Sequence, residues 1–287
     1  MQTSTIMKLK FHKEHLRVPS CAFVVLFLFL SCLKPVWAAD WLSEAKTKTI
    51  KTFDGESELK STDFKKDRRG KVVIRRLKPI NKSDWNTDPT ALPYFTYQLR
   101  QRTNGKYPIY LDNEGLEIAS KEIFEYPMIY FTSHYPFTFS DDEVENLKKY
   151  LARGGTLLLD DCTGSGGFTG SVPSNVQRII PGAKMELMLP KSKKYNDLFT
   201  LIYHHDELPP MPRSQFRQPF QVAVLNGRPA ILVCPNDYGC NWEVSTPPTA
   251  LMPLGGNAHG ETTPASTNTR ELIYQISINW FFYAVTH

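Results

Sequence analysis

At 287 residues, 41% hydrophobic and 22% charged, the chain has an ordinary globular composition that excludes a collagen, a coiled coil and wholesale disorder. Its formal charge of +5 sits at one end: residues 1–39 carry Lys8, Lys10, Lys13, Arg17 and Lys34 against Glu14, a net of +4 that leaves about +1 for the rest. The pI of 8.8 is therefore largely a property of the N-terminus, and the near-neutral remainder gives no electrostatic case for nucleic-acid binding.

Residues 1–39 read as a secretory signal peptide: a basic start, an apolar stretch from Val18 to Leu33, and small residues at Ala38-Ala39 for cleavage. Retention as a membrane anchor through residues 18–33 is the alternative, although that run of about 16 residues is shorter than the ~20 that span comfortably. A lipid anchor on Cys32 is a third option, with Phe29 where a lipoprotein box carries Leu. The expected location is periplasmic or extracellular, with membrane contact only through this segment. Residues 40–70 are polar with little periodicity and read as a mobile or partly helical arm. Across 40–82, 13 Lys/Arg against 7 Asp/Glu make a basic patch, read as a solvated arm rather than a docking site for an anionic partner. An α/β domain is expected over 71–287.

Val72-Val73-Ile74 opens that domain as a strand. Asp88-Pro89 predicts a helix start, with Leu92, Phe95 and Leu99 at helical spacing to about Thr103 and Gly105 as the stop. A short helix is expected near 118–125. Met128–Thr132 is a buried-strand run. Ser140-Asp141-Asp142-Glu143 is a capping box ahead of the stripe Val144, Leu147, Leu151, with Gly154-Gly155 as the stop. Thr156–Asp160 is a second buried strand, so strand, helix and strand form a βαβ unit with a parallel pair. A helix over Asn175–Ile180, a strand over Lys184–Leu189, a long insertion over 190–218 and a hairpin around Asn226-Gly227 follow. Residues 244–268 read as a Pro/Gly/Thr-rich loop. Asn268 or Thr269 caps a last helix with Leu272, Ile273, Ile276, Trp280 and Phe281 for the core.

Parallel sheets bind ligands at the carboxyl ends of their strands. That rule brings His134 to the same edge as Asp160, Asp161 and Cys162, beside the glycine-rich Thr163–Gly170. The stretch Asp237, Tyr238, Gly239, Cys240, Asn241, Trp242, Glu243 follows the Ala230–Cys234 strand onto that edge. Each residue has two readings. His134 is a base or ligand, or bonds a loop backbone. Asp160 and Asp161 bind a cation or act as acid and base, or cap the next turn. Cys162 is a nucleophile activated by His134, or is simply buried or paired with Cys240 in a disulfide, oxidation in an exported protein being what would silence a nucleophile. The expected binding set is His134, Asp160, Asp161, Asp237, Tyr238, Trp242 and Glu243. No metal site and no cofactor are expected: His204-His205-Asp206 has diverging adjacent imidazoles, Cys234 and Cys240 are six apart, and no phosphate-loop or nucleophile-elbow motif occurs.

Three blocks, DWNTDPTALP (84–93), YPMIYFTSHYPFTFSDDEVENLKKYLARGGTLLLDDC (126–162) and NGRPAILVCPNDYGCNWE (226–243), closely resemble domain of unknown function 4159. The resemblance implies a fold similar to class I glutamine amidotransferases: a flavodoxin-like three-layer α/β sandwich with a mainly parallel sheet, in bacterial proteins often exported. It does not carry amidotransferase catalysis. Cys162 lies in Asp-Asp-Cys-Thr-Gly rather than Gly-x-Cys-x-Gly, and the His-x-Glu spacing at His259-Gly260-Glu261, before the last helix, falls in a loop. The sequence also has Asn196-Asp197 where the family commonly has His-Pro. Two functions are carried forward: a non-catalytic module that binds a small molecule or an envelope partner, and a hydrolase or amidase with Cys162 as nucleophile and His134 or His259 as base.

Overall fold

The computed structural model describes residues 74–81, 84–104, 115–163, 166–209, 218–246, 254–257 and 264–287. The signal peptide, the 40–70 arm, Val72-Val73, Gly105 and His259 lie outside these residues.

The elements in chain order are β1 (Ile74–Lys78), α1 (Ala91–Arg102), β2 (Leu116–Glu117), a 3-10 turn (Lys121–Glu125), β3 (Met128–Ser133), α2 (Asp141–Ala152), β4 (Thr156–Asp161) and α3 (Gly167–Ile179). They continue with β5 (Met185–Met188), α4 (Asp197–Thr200), β6 (Phe220–Leu225), β7 (Arg228–Cys234), α5 (Tyr238–Trp242), β8 (Val244–Thr246), β9 (Gly256–Asn257) and α6 (Pro264–Thr286). Seven strands form one sheet in the order β2-β1-β3-β4-β7-β6-β5, and β8 and β9 form a separate two-stranded antiparallel sheet. The pairs from β2 through β7 are parallel, and β6 and β5 add an antiparallel edge.

The period-two alternation of the central strands sorts their side chains between two cores. Ile129, Phe131, Leu157 and Leu159 face α2 and α3, meeting Val144, Leu147, Phe168 and Val172. Met128, Tyr130, Leu158 and Leu232 face α1 and α6, meeting Leu92, Phe95, Ile273, Trp280 and Phe281. Strands apolar on both faces require helices on both sides, and the result is a three-layer α/β sandwich with a mainly parallel sheet.

The capping box forms as expected: Ser140 accepts from the Glu143 amide and Glu143 accepts from the Ser140 amide. Asn226 and Gly227 take φ of 52° and 80°, the left-handed pair that a two-residue hairpin needs. Four expectations are corrected. Thr90, not Asp88, is the N-cap residue of α1, because the Asp88 side chain turns into a buried cluster. α3 starts at Gly167, so the second half of the glycine-rich run is helix rather than loop. α6 starts at Pro264, ahead of Asn268, and its Leu272 is 40% exposed rather than core. Arg75 and Arg76 leave the basic patch: both are buried in β1, with Arg76 bonded to Asn86 Oδ1 and the Asp88 carbonyl and lying over the Tyr130 ring. Among the described residues no helix is long and apolar enough to cross a membrane.

Candidate functional site

The chain leaves β1 toward the edge strand β2, then returns to the other side of β1 as β3 and continues outward to β4. β1 and β3 are therefore neighbours whose connections diverge, the switch point at which doubly wound sheets open a crevice at their carboxyl ends. Four segments reach this crevice. Residues 84–90 follow β1, His134 follows β3, Cys162 follows β4, and Asp237–Cys240 follow β7.

Ligand atoms of Asp88, Cys162, Asp237 and Cys240, all buried, lie within 4.8 Å of one another. The two sulfurs stand 3.8 Å apart. Asp88 bridges them: its Oδ1 accepts from Cys240 Sγ at 3.3 Å, and its Oδ2 accepts from Cys162 Sγ at 3.5 Å. His134 reaches the cluster from the solvent side, with Nε2 3.3 Å from Cys162 Sγ and Nδ1 2.5 Å from Asp84 Oδ2. The side chains of His134 and Asp84 are 42% and 40% exposed. Contact with Cys240 pulls the Cys162 thiol down, but burial and the charges of Asp88 and Asp237 push it up, and the net is upward. The Cys240 thiol is pushed up by Cys162 first, then by burial and the same two carboxylates.

The expected Cys162–Cys240 disulfide is corrected. A separation of 3.8 Å is nearly twice the ~2.05 Å of a sulfur–sulfur bond, and Cys162, Cys234 and Cys240 are free. In place of a sulfur–sulfur bond, the Asp88 carboxylate takes a hydrogen bond from each thiol.

The remaining expected residues separate into those that touch the cluster and those that support it. His134 and Asp237 belong to it. Asp160 is fully buried beneath it and accepts from the amides of Tyr238 and Gly239 at 3.1 and 2.6 Å and from Tyr130 Oη at 3.1 Å. Burial pushes Asp160 up to about 6, and those amide donors oppose the rise. Its structural effect is to seat the first turn of α5, which carries Asp237 and Cys240. Asp161 caps the turn after β4, accepting from the amides and hydroxyls of Thr163 and Thr169. Tyr238 stacks on Trp280, and Trp242 packs on Phe95 and Tyr130, so these two rings are core rather than ligand surface. Glu243 accepts from the Thr90 amide and hydroxyl at 3.0 and 2.9 Å, tying the end of α5 to the start of α1. Asn196 bonds Thr200 within α4 and takes no part in the cluster. His204 and His205 diverge as expected: one is exposed beside Asp206 and the other is buried.

Sequence reasoning missed Asp84 and Asp88. The signal was present, since the carboxyl-end rule used for the other strands applies equally to the loop after β1. The helix-start reading of Asp88-Pro89 obscured it.

A profile of the family described as Domain of unknown function (DUF4159) matches residues 73–285. The chain belongs to that family. No curated protein matches the sequence closely enough to add a named relative. Within the stretch matched to DUF4159, the cluster draws on all three blocks in which the resemblance was read: Asp84 and Asp88 from the first, His134 and Cys162 from the second, Asp237 and Cys240 from the third. A hollow of about 220 Å³ lined by Phe124, Tyr126, Tyr150 and Arg153 lies at the opposite, amino-terminal edge of the sheet, away from these groups.

Proposed function

We propose that this DUF4159 domain is an exported, non-catalytic binding module of the cell envelope whose ligand is held at the β1/β3 switch point. One observation carries the reading: two thiols and two carboxylates from three separate loops converge in a buried cluster with a half-exposed imidazole at its mouth. Burying so many ionisable groups together carries a desolvation cost, and their convergence on one point suits the binding of a group that all of them can contact. Export rests on the basic and apolar pattern of residues 1–39.

A second reading has its own support. Asp84, His134 and Cys162 form a continuous chain with contacts of 2.5 and 3.3 Å, the orienter–base–nucleophile order of a cysteine hydrolase. Against it, Cys162 is only 3% exposed and its sulfur is already in contact with His134, Asp88 and Cys240. A carbonyl carbon has little room to approach it.

Native and denaturing mass spectrometry of protein recovered from the exporting compartment, with thiol labelling, separates the two. The binding reading expects a mature N-terminus near residue 40, a retained non-covalent mass and slow labelling of Cys162 until denaturation. Fast labelling of Cys162 that His134→Ala abolishes, with no retained mass, would favour the hydrolase instead.

A further inference from the structure

We infer that the ligand of this site is a thiophilic divalent metal ion of the zinc class, held by Cys162, Cys240, Asp88 and Asp237, with His134 and Asp84 as its outer partners. The inference rests on the binding reading above and names its ligand.

The spacing of the donor atoms is the first argument. Zinc bonds thiolate sulfur at about 2.3 Å and carboxylate oxygen at about 2.0–2.2 Å in a tetrahedron. Two sulfurs on such an ion stand about 3.8 Å apart, and a sulfur and an oxygen about 3.5 Å. The observed separations are 3.8 Å for Cys162–Cys240 and, to the single oxygen Asp88 Oδ1, 3.7 Å from Cys162 and 3.3 Å from Cys240. Three edges of the tetrahedron are thus already set. Asp237, one helical turn before Cys240, supplies the fourth donor atom within the same 4.8 Å group.

The donor set is the second argument. Two soft thiol ligands with carboxylates select zinc-like ions over magnesium or calcium, which take all-oxygen shells. The third argument is the support around the donors. Asp160 fixes the α5 turn through the Tyr238 and Gly239 amides. Arg76 holds the Asp88 carbonyl, and Glu243 holds Thr90, so the Asp88 loop is tied at both ends. His134 contacts Cys162 with its ring oriented by Asp84, the second layer of hydrogen bonding that metal thiolates use. On binding, each thiol loses its proton to solvent and the metal takes its place.

The arrangement also accounts for the missing sequence signature. The four ligands come from loops after three different strands, so no Cys-x-x-Cys spacing exists.

The test uses the full-length chain, reduced, stripped of metal and checked as folded by circular dichroism. Zinc and cobalt(II) are titrated separately. The expected result is one metal ion per chain, with cobalt giving a thiolate-to-metal charge-transfer band and tetrahedral visible bands. Cys162→Ser and Cys240→Ser each cut the charge-transfer intensity by about half or abolish binding. Because those variants can also unfold the site, Asp84→Asn is the second probe. It leaves all four donors in place and lowers affinity about 10–100-fold, the usual effect of losing an outer partner. Folded wild-type protein that takes up neither metal overturns the inference, as does a Cys162–Cys240 disulfide in protein from the exporting compartment. If that metal-free protein still retains an organic mass that Asp88→Asn removes, the binding reading stands and only its metal ligand falls. If it retains nothing and Cys162 reacts in a His134-dependent way, both fall together.

Discussion

Gly239 has no side chain because three others occupy the space. A Cβ there would sit 2.7 Å from Asp88 Oδ2 and 3.0 Å from Asp160 Oδ2, and would also collide with Tyr130 Oη. All three belong to the cluster or its floor, so they cannot give way freely. Gly239→Ala is expected to destabilise the fold by about 1–3 kcal/mol and to weaken the site, read as a lower urea midpoint together with a weaker zinc titration. His205 makes a separate prediction far from the cluster. Burial first, and neighbouring His204 second, lower it from 6.5 to about 4. The folded state therefore prefers the neutral ring. The stability this contributes is fully present above about pH 6.5 and is lost as pH falls toward 4. Allowing for solvent screening, the loss is on the order of 1–2 kcal/mol. Denaturation at pH 7 and pH 4.5 should show a smaller pH dependence in His205→Gln than in the wild type.

Glu143 does two things at the scale of an element. It completes the capping box of α2 and accepts from the Ile80 amide at 2.7 Å, joining the end of β1 to α2 across 63 residues of sequence. Ser140→Ala removes only the cap bond and should cost about 1 kcal/mol. Glu143→Ala also leaves the Ile80 donor without its partner and should cost about 2 kcal/mol, a difference that paired urea curves can resolve. α5 is a single turn and cannot hold itself. Asp160 holds its start, and buried Arg270 from α6 donates to the Asn241, Glu243, Leu254 and Gly255 carbonyls around its end. Glu243 then links α5 to α1 through Thr90. Glu243→Ala touches no donor atom, yet it should reduce zinc affinity several-fold by loosening residues 84–90, with metal stoichiometry unchanged.

Across the whole molecule, the proposed metal would pin together loops that follow β1, β4 and β7. Those loops have no mutual contact in an unfolded chain, so metal binding would act as folding energy. At a free metal concentration 100 times the dissociation constant the gain is about 2.7 kcal/mol. Melting of the full chain should accordingly rise when zinc is added and fall with a chelator. A melting temperature indifferent to both would count against the metal. Cys162→Ser should lose most of this response while retaining the far-UV spectrum of the sandwich, because the central strands are held by the two apolar cores rather than by the cluster.

The sequence alone determined the elements whose signals are local. The Met128–Ser133 and Thr156–Asp161 strands, the Ser140–Glu143 cap and the Asn226-Gly227 hairpin follow from side-chain periodicity, capping chemistry and the left-handed backbone that Asn and Gly tolerate. It also put His134 and Cys162 on one edge, because a strand–helix–strand unit forces parallel strands to end together. Only the tertiary structure decided which groups meet them there. Asp88 reads as a helix cap in one dimension and becomes the bridge between two thiols in three, since β1 is inserted between β2 and β3 and no local pattern announces that order. Arg75 and Arg76 read as surface charge and are buried, because Tyr126, Asn86 and the Asp88 carbonyl accept their hydrogen bonds from distant positions. Tyr238 and Trp242 read as ligand surface and are core, since α5 turns their rings onto α1 and α6 while its Asp237 and Cys240 face the crevice. Partners brought together from 74 and 152 residues apart in sequence, as Asp88 is with Cys162 and Cys240, are fixed by sheet order and packing alone.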